Sequence, residues 1–257
     1  MSIKGLSAFV TGGGSGIGLA AAARLARDGA HVTICGRTEE KLAKAVVEIG
    51  HDARYIVADV TVEEQVEAAV AFACEPTGGL DILFANAGGS AQLGPFDTAD
   101  LGGVRATIEL NLVGTIICIK HAAAAMKPAG RGSIIGMSSG AGHFPHRSLW
   151  AYGAAKAGIE EACRYAAEEL GSSGIRVNVV QPGIIDDELM APITGGGKLL
   201  DDYLLNIPLE RVGTVDDIAE AVRFLAGPES SWITGACLPI DGGHHLRRGA
   251  NYSLLFE

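Results

Sequence analysis

The chain has 257 residues, 48% of them hydrophobic and 19% charged, enough apolar material for a sizeable core and too much for a disordered chain. Asp and Glu number 30 against 20 Lys and Arg, a formal net charge of −10. That balance is a poor match for nucleic acid or an anionic membrane, both of which reward clustered Lys and Arg.

Glycine occurs 36 times, about twice the usual share of about 7% and without a collagen-like period, so the excess belongs to turns and close backbone approaches. The five cysteines, Cys35, Cys74, Cys118, Cys163 and Cys237, are odd in number and lack C-x-x-C spacing. They read as reduced thiols of a cytoplasmic protein. The N-terminus, MSIKGLSAFVTGGG, has no basic region followed by an apolar one, so no signal peptide is predicted. The uninterrupted apolar runs fall short of a membrane span.

Short apolar runs alternate with longer amphipathic ones along the chain. Strands are predicted at Ser7–Thr11, His31–Cys35, Arg54–Val57, Asp81–Ala85, Ser133–Met137, Ile175–Val180 and Cys237–Ile240. Helices are predicted at Ile17–Asp28, stopped by Gly29, and at Thr38–Ile49 with Thr38 as N-cap. A third runs to Cys74 behind a Thr61/Glu64 capping box, followed by Leu101–Met126, Trp150–Leu170 and a helix from a Thr214 cap to Ala226. Strand–helix alternation implies an α/β fold, a doubly wound and mainly parallel seven-stranded sheet with helices on both faces. No linker or repeat interrupts it, so residues 1–257 read as one domain. Residues 188–207, with three consecutive glycines at 195–197, read as a mobile substrate loop.

Thr11-Gly12-Gly13-Gly14-Ser15-Gly16-Ile17-Gly18 follows the first strand and opens the first helix. Bare backbone N–H groups at a helix N-terminus are what a pyrophosphate needs, and glycines remove the Cβ atoms in its way. The spacing T-G-x-x-x-G-x-G departs from the literal dinucleotide fingerprint, and no Lys-Ser/Thr follows to make a P-loop. Tyr152 and Lys156 are four residues apart and share one helix face. A free phenol is a poor proton-transfer group at neutral pH, but a neighbouring ammonium favours the phenolate. Lowering the phenol pKa by about 3 units takes about 4 kcal/mol of differential stabilisation.

With these elements the sequence resembles the short-chain dehydrogenase/reductase family, in its compact single-domain form, from Thr11 to Gly243. The resemblance also rests on Asp59-Val60, Asn86-Ala87-Gly88, Asn111, Ser138-Ser139, Pro182-Gly183 and Asp241-Gly242-Gly243, each in order at a strand end. It implies a Rossmann-type fold and hydride transfer between a nicotinamide cofactor and a secondary alcohol or ketone. Tyr152 is then the general acid/base, Ser139 holds the reacting oxygen, Lys156 grips the nicotinamide ribose and Asn111 supports a proton-relaying water. Ser139, thirteen residues before Tyr152, takes the substrate role, and Ser138 supports the backbone. The cofactor is expected against Gly12, Ser15, Gly16, Ile17, Gly18, Arg37, Asp59, Val60, Asn86, Ala87, Gly88, Tyr152, Lys156, Pro182, Gly183 and Ile185.

At the end of the second strand Gly36-Arg37 replaces the carboxylate that holds a ribose 2′-hydroxyl in NAD sites. A guanidinium there suits a 2′-phosphate, so NADP is favoured over NAD. Ser15, not basic, withholds a second NADP signal. Asp187 stands where family members commonly have Thr. Its charge opposes a pyrophosphate, so it either points outward or marks a different way of holding the cofactor.

Leu93, His143, Phe144, Trp150, Met190, Leu199, Leu200, Tyr203 and Leu204 are candidate walls for a partly apolar alcohol or ketone. A 3-oxoacyl-thioester (acyl carrier protein) reductase is an alternative within this chemistry, and a non-catalytic dinucleotide-binding sensor is one outside it. His244-His245 read as surface, and no metal site is expected. The resemblance implies a homodimer or homotetramer. The C-terminal tail, residues 244–257, ends in an apolar Tyr252–Phe256 run and is expected to dock on a neighbouring subunit or cover a pocket.

Overall fold

A computed structural model describes residues 2–255. Strands β1 (Ser7–Thr11), β2 (His31–Gly36), β3 (Arg54–Val57), β4 (Ile82–Ala85), β5 (Gly132–Met137), β6 (Ile175–Pro182) and β9 (Cys237–Ile240) form a seven-stranded sheet in the order β3-β2-β1-β4-β5-β6-β9. Every pairing is parallel. Two further strands, β7 (Ile185–Asp186) and β8 (Gly213–Thr214), pair as a small parallel ribbon beyond β6.

The central strands are apolar on both faces because helices cover both. Helices α1 (Gly16–Arg27), α2 (Glu39–Ile49) and α10 (Val215–Ala226) pack Leu25, Leu42, Ile49, Ile218 and Leu225 against Val10, Ile34 and Phe84. On the other face α3 (Glu63–Cys74), α5 (Gly114–Met126) and α7 (Trp150–Gly171) pack Val66, Cys118, Met126 and Ile159 against Phe9, Leu83 and Ile134. Thr214 and Asp217 close the expected cap of α10 as a full capping box. The capping box expected at Thr61 and Glu64 does not form. α3 starts at Glu63, and the Thr61 hydroxyl donates instead to Asp59 at 2.8 Å.

The predicted helix from Leu101 is α4 (Leu101–Ile108), one wide turn at Glu109–Val113, then α5. Asn111 causes the wide turn: its side-chain amide donates to the Thr107 carbonyl at 2.7 Å, taking the acceptor an α-helical N–H would use. The unbroken helical stretch Leu101–Ala129 reaches a mean hydropathy of 1.4, long and apolar enough by composition to cross a bilayer. Here the stretch lies along the sheet with Thr107, Asn111, Thr115, Cys118 and Met126 buried. All five cysteines are free.

The chain crosses from one side of β1 to the other between β3 and β4. Parallel α/β sheets open a crevice at such a point, beyond the C-terminal strand ends.

Candidate active site

The glycine turn lies in that crevice. Gly12 has φ +66°, and a Cβ there would stand 2.8 Å from Asn86 Nδ2. A Cβ on Gly18 would stand 2.3 Å from the Gly12 carbonyl oxygen, so the turn closes only with glycine at both positions. Asn86 braces it by donating to the carbonyls of Thr11 at 2.9 Å and Gly12 at 3.3 Å. The Thr11 hydroxyl accepts from the N–H groups of Asn86 and Ala87, both at 3.0 Å.

A cleft of about 200 Å³ runs from this turn, lined by Gly12, Ser15, Arg37, Asp59, Val60 and Gly88 among others. Seven of the sixteen expected cofactor residues, these six and Ala87, thus meet in one place. Lys41, on the same wall, was not expected; its Nζ pairs with Glu188 at 3.1 Å across the cleft. One oxygen of Asp59 is committed to Thr61. Burial pushes its carboxyl pKa up, but Thr61 and the charge of Arg37 more than offset this and hold it below the ordinary value. The side chain of Ile17 packs toward the α1 core and that of Ile185 is buried beneath the cleft. Both can serve a cofactor only through their backbones, and Gly183 packs against Asp241. A separate hollow of about 250 Å³ between His31, Asp52, Arg54 and Glu75 sits at the other end of β2, away from these groups.

Asn111, Ser139, Tyr152 and Lys156 converge at the inner end of the cleft. Asn111 donates to the Gly89 carbonyl at 2.6 Å and accepts from its N–H at 3.2 Å. Beside it, a Cβ on Gly88 would stand 2.6 Å from Asn111 Oδ1 and 3.1 Å from Lys156 Nζ. Lys156 Nζ donates to the Met137 carbonyl at 2.8 Å and lies 5.3 Å from the centre of the Tyr152 ring. Ser139 caps α6 (Gly140–His143) and its hydroxyl lies against the Tyr152 phenol. Ser138, expected to support the backbone, donates to the buried Glu160 side chain at 2.6 Å, which also accepts from Gln181 at 2.6 Å.

The expected acidification of the phenol does not arise from the protein's own groups. Burial, and then the nearby Tyr252 phenol, push the Tyr152 pKa above its ordinary value against the pull of Ser139. Burial brings Lys156 down to about 7. The lysine is near, but burial disfavours its charged form as well, and desolvation wins.

On the substrate side, Leu149, Ile184, Leu199, Tyr203, Ile207 and Tyr252 form a third apolar cluster, with Tyr152, Met190, Leu200 and Leu254 packed against it. α9 (Lys198–Asn206) supplies Leu199 and Tyr203, so much of the predicted loop is helical. Leu93 and His143 are exposed, and Trp150 stacks on Phe96 at 4.3 Å with its indole nitrogen buried and unpartnered. His244 corrects its expected surface placement: it is 1% exposed, in ring contact with Phe144, His146 and Tyr203. The tail folds over this same cluster within its own chain. Phe256, at its end, lies outside the described residues.

A family model described as enoyl-(acyl carrier protein) reductase matches residues 12–245. Cis-4-hydroxycyclohexanecarboxylate dehydrogenase of Sinomonas cyclohexanicum is 38% identical over 92% of this chain and 95% of its own. A solved short-chain dehydrogenase/reductase structure from Mycobacterium ulcerans superposes with a TM-score of 0.97 at 40% identity, over 100% of this chain and 96% of that one. The chain belongs to the short-chain dehydrogenase/reductase family. A further relative, 2,5-dichloro-2,5-cyclohexadiene-1,4-diol dehydrogenase of Sphingobium indicum, is 38% identical over 94% of this chain and 96% of its own. As a short-chain dehydrogenase/reductase the protein is an oxidoreductase of CH–OH and C=O groups that uses a nicotinamide dinucleotide. The glycine cradle and the cleft beside Arg37 and Asp59 fit such a group.

Proposed function

We propose that the protein interconverts a partly apolar secondary alcohol and its ketone, with Tyr152 as the proton-transfer group and NADP as the preferred cofactor. The observation that carries this reading is that Asn111 and Lys156 meet at Gly88, with the Tyr152 ring 5.3 Å from Lys156 Nζ and Ser139 hydrogen-bonded to the Tyr152 phenol. A bound nicotinamide supplies the hydride acceptor in oxidation and the donor in reduction.

Ser139 holds the substrate oxygen by its hydroxyl, and Tyr152 removes the alcohol proton or returns it to the carbonyl. Tyr152 is too weak an acid by itself, so its phenolate needs positive charge nearby in the assembled complex. Lys156, whose pKa burial brings down to about 7, is held beside the Tyr152 ring by its bond to the Met137 carbonyl. Asn111, tied to Gly89, keeps the wide helical turn open beside that ammonium.

For the cofactor, Arg37 is exposed just past the end of β2, on the cleft wall it shares with Asp59, and Lys41, paired with Glu188, adds a second cation there. Both favour a 2′-phosphate. Placement in the cytoplasm is supported by five free thiols. Assembly as a homodimer or homotetramer is supported by the outward face of α7, where Ala154 and Ala157 are exposed and Tyr165 is 65% exposed.

Reduction of a 3-oxoacyl thioester is a second reading, favoured by the family model's description and by the exposed Arg147 and Arg247 beside the tail. The test is a panel of cyclic and linear alcohols, ketones and one 3-oxoacyl thioester with both cofactors, run with the wild type and Tyr152→Phe. Turnover lost in the variant with cofactor binding retained is the expected result. A wild type that binds cofactor tightly and turns over nothing would instead be a sensor.

A further inference from the structure

The C-terminal segment is fixed in place over the substrate side. Arg147 N–H donates to the Ala250 carbonyl at 3.2 Å, and Tyr252 N–H to the Arg147 carbonyl at 3.1 Å. Gly249 passes so close to Pro145 that a Cβ would stand 2.0 Å from the proline carbonyl oxygen. Asn251 N–H donates to Asp202 at 2.9 Å, and Arg248 pairs with the same carboxylate. The contacts tie the tail to the segment between Ser139 and Tyr152 and to α9.

They deliver Tyr252 into the apolar cluster against which Tyr152 packs, with only 7% of the residue exposed. The Tyr203 hydroxyl donates to the Tyr252 hydroxyl at 2.9 Å. Tyr203 has then spent its proton, and Tyr252 keeps its own, with no acceptor for it among the described residues. A donor held in apolar surroundings is costly unless something accepts from it. Tyr252 also stands near enough to Tyr152 to raise its pKa.

We propose that Tyr252 determines specificity: its hydroxyl, aimed by Tyr203, donates to a second and uncharged oxygen of the substrate, so the enzyme takes alcohols that carry another hydroxyl or carbonyl on an apolar ring or chain. The assignment rests on Tyr152 and Ser139 holding the reacting oxygen, which leaves Tyr252 for another one. An uncharged oxygen is favoured over a carboxylate because the side chains packed around Tyr252 are apolar, phenolic or imidazole. Arg248 is paired with Asp202, and Arg247 donates to the Leu205 carbonyl at 2.6 Å. His146 and His244, in contact with the same rings, are both pushed toward the neutral form by burial.

The test compares cyclohexanol, vicinal cyclohexanediol and 4-hydroxycyclohexanecarboxylate as substrates of wild type, Tyr252→Phe and Tyr203→Phe. Wild type is expected to favour the diol over cyclohexanol. Tyr252→Phe should lose about tenfold in kcat/KM on the diol, mostly through KM, and much less on cyclohexanol; tenfold corresponds to about 1.4 kcal/mol. Tyr203→Phe keeps the donor but frees it, and should fall between. Equal losses on both alcohols, no preference for the diol, or best turnover of the carboxylate each overturns the proposal. Tyr152→Phe is the control that separates the two readings. Its retaining activity would overturn the role of Tyr152 alone, while the diol-to-cyclohexanol ratio still decides Tyr252.

Discussion

The carboxylate of Asp187 stands against Gly16 in the glycine turn. A Cβ on Gly16 would lie 2.8 Å from Asp187 Oδ2, and Gly16 has φ +54°, so nothing but glycine fits beside it. Of the two alternatives for this acid, pointing outward is the one that fails: it faces the backbone that would hold a pyrophosphate. Its other oxygen accepts from the Met190 N–H at 2.8 Å, which fixes the loop after β7. Asp187→Asn keeps an acceptor for that N–H and removes the charge. Cofactor binding, measured by calorimetric titration, should tighten roughly fivefold, the effect of about 1 kcal/mol of like-charge repulsion. Unchanged affinity would mean the repulsion is already screened.

A second acid bears on which cofactor is taken. Glu188 pairs with Lys41 at 3.1 Å, and both side chains are more than half exposed. The pair contributes little to stability at that exposure, but it neutralises a cation on the wall where a 2′-phosphate would sit. Glu188→Gln releases Lys41, and the NADPH-to-NADH affinity ratio should rise about threefold at low salt and less at high salt. Arg37→Ala should move the same ratio the other way by about tenfold, the loss of one charge-assisted hydrogen bond. A ratio unmoved by both substitutions would argue for NAD.

What could be read from the sequence was whatever is local. Strand–helix alternation gave all seven strands of the sheet, and the glycine turn announced itself because it joins a strand end to a helix start. Tyr152 and Lys156 were legible because four residues is one helical turn. The contacts that escaped are tertiary. The Asn111 side chain that opens the wide turn is also held by Gly89, which comes within reach from another loop. Thr61 fails as a cap because Asp59 takes its hydroxyl first. Lys41 and Glu188 are 147 residues apart, and His244 is buried only because Phe144, His146 and Tyr203 surround it. The apolar end of the tail was a usable signal, since Tyr252 joins the apolar cluster of Leu199, Tyr203 and Ile207. That its hydroxyl would meet Tyr203 was beyond any pattern.

Lys156 makes stability depend on pH in the alkaline range. Its pKa is 10.5 in the unfolded chain and about 7 in the fold, where burial penalises the ammonium. Between those values the unfolded chain binds the extra proton, so stability rises with pH, at up to about 1.4 kcal/mol per unit. Lys156→Met removes this proton from both states. Urea unfolding of wild type and variant between pH 7.5 and 9.5, without added cofactor, should show the wild type gaining on the variant as pH rises. Parallel pH profiles would place the lysine's folded pKa near its ordinary value.

His146 sets the opposite, acid limit. Burial among Phe144, Tyr203, His244 and Tyr252 lowers its pKa from 6.5 to about 4, against the Phe144 carbonyl that accepts from it at 3.1 Å and the charge of Asp202; the neighbouring His244 pushes the same way as burial. Between pH 6.5 and 4 the unfolded chain takes up a proton that the folded one refuses. Stability therefore falls as the solution is acidified through that window, by up to about 1.4 kcal/mol per unit for this one group. His146→Phe keeps an aromatic ring in the cluster and abolishes the proton. The variant should start somewhat less stable at pH 7, having left the Phe144 carbonyl without its donor, and then lose less than wild type on the way to pH 4.5. Because His244 is also held below its ordinary value, part of the acid sensitivity should remain in the variant and vanish only when both rings are replaced.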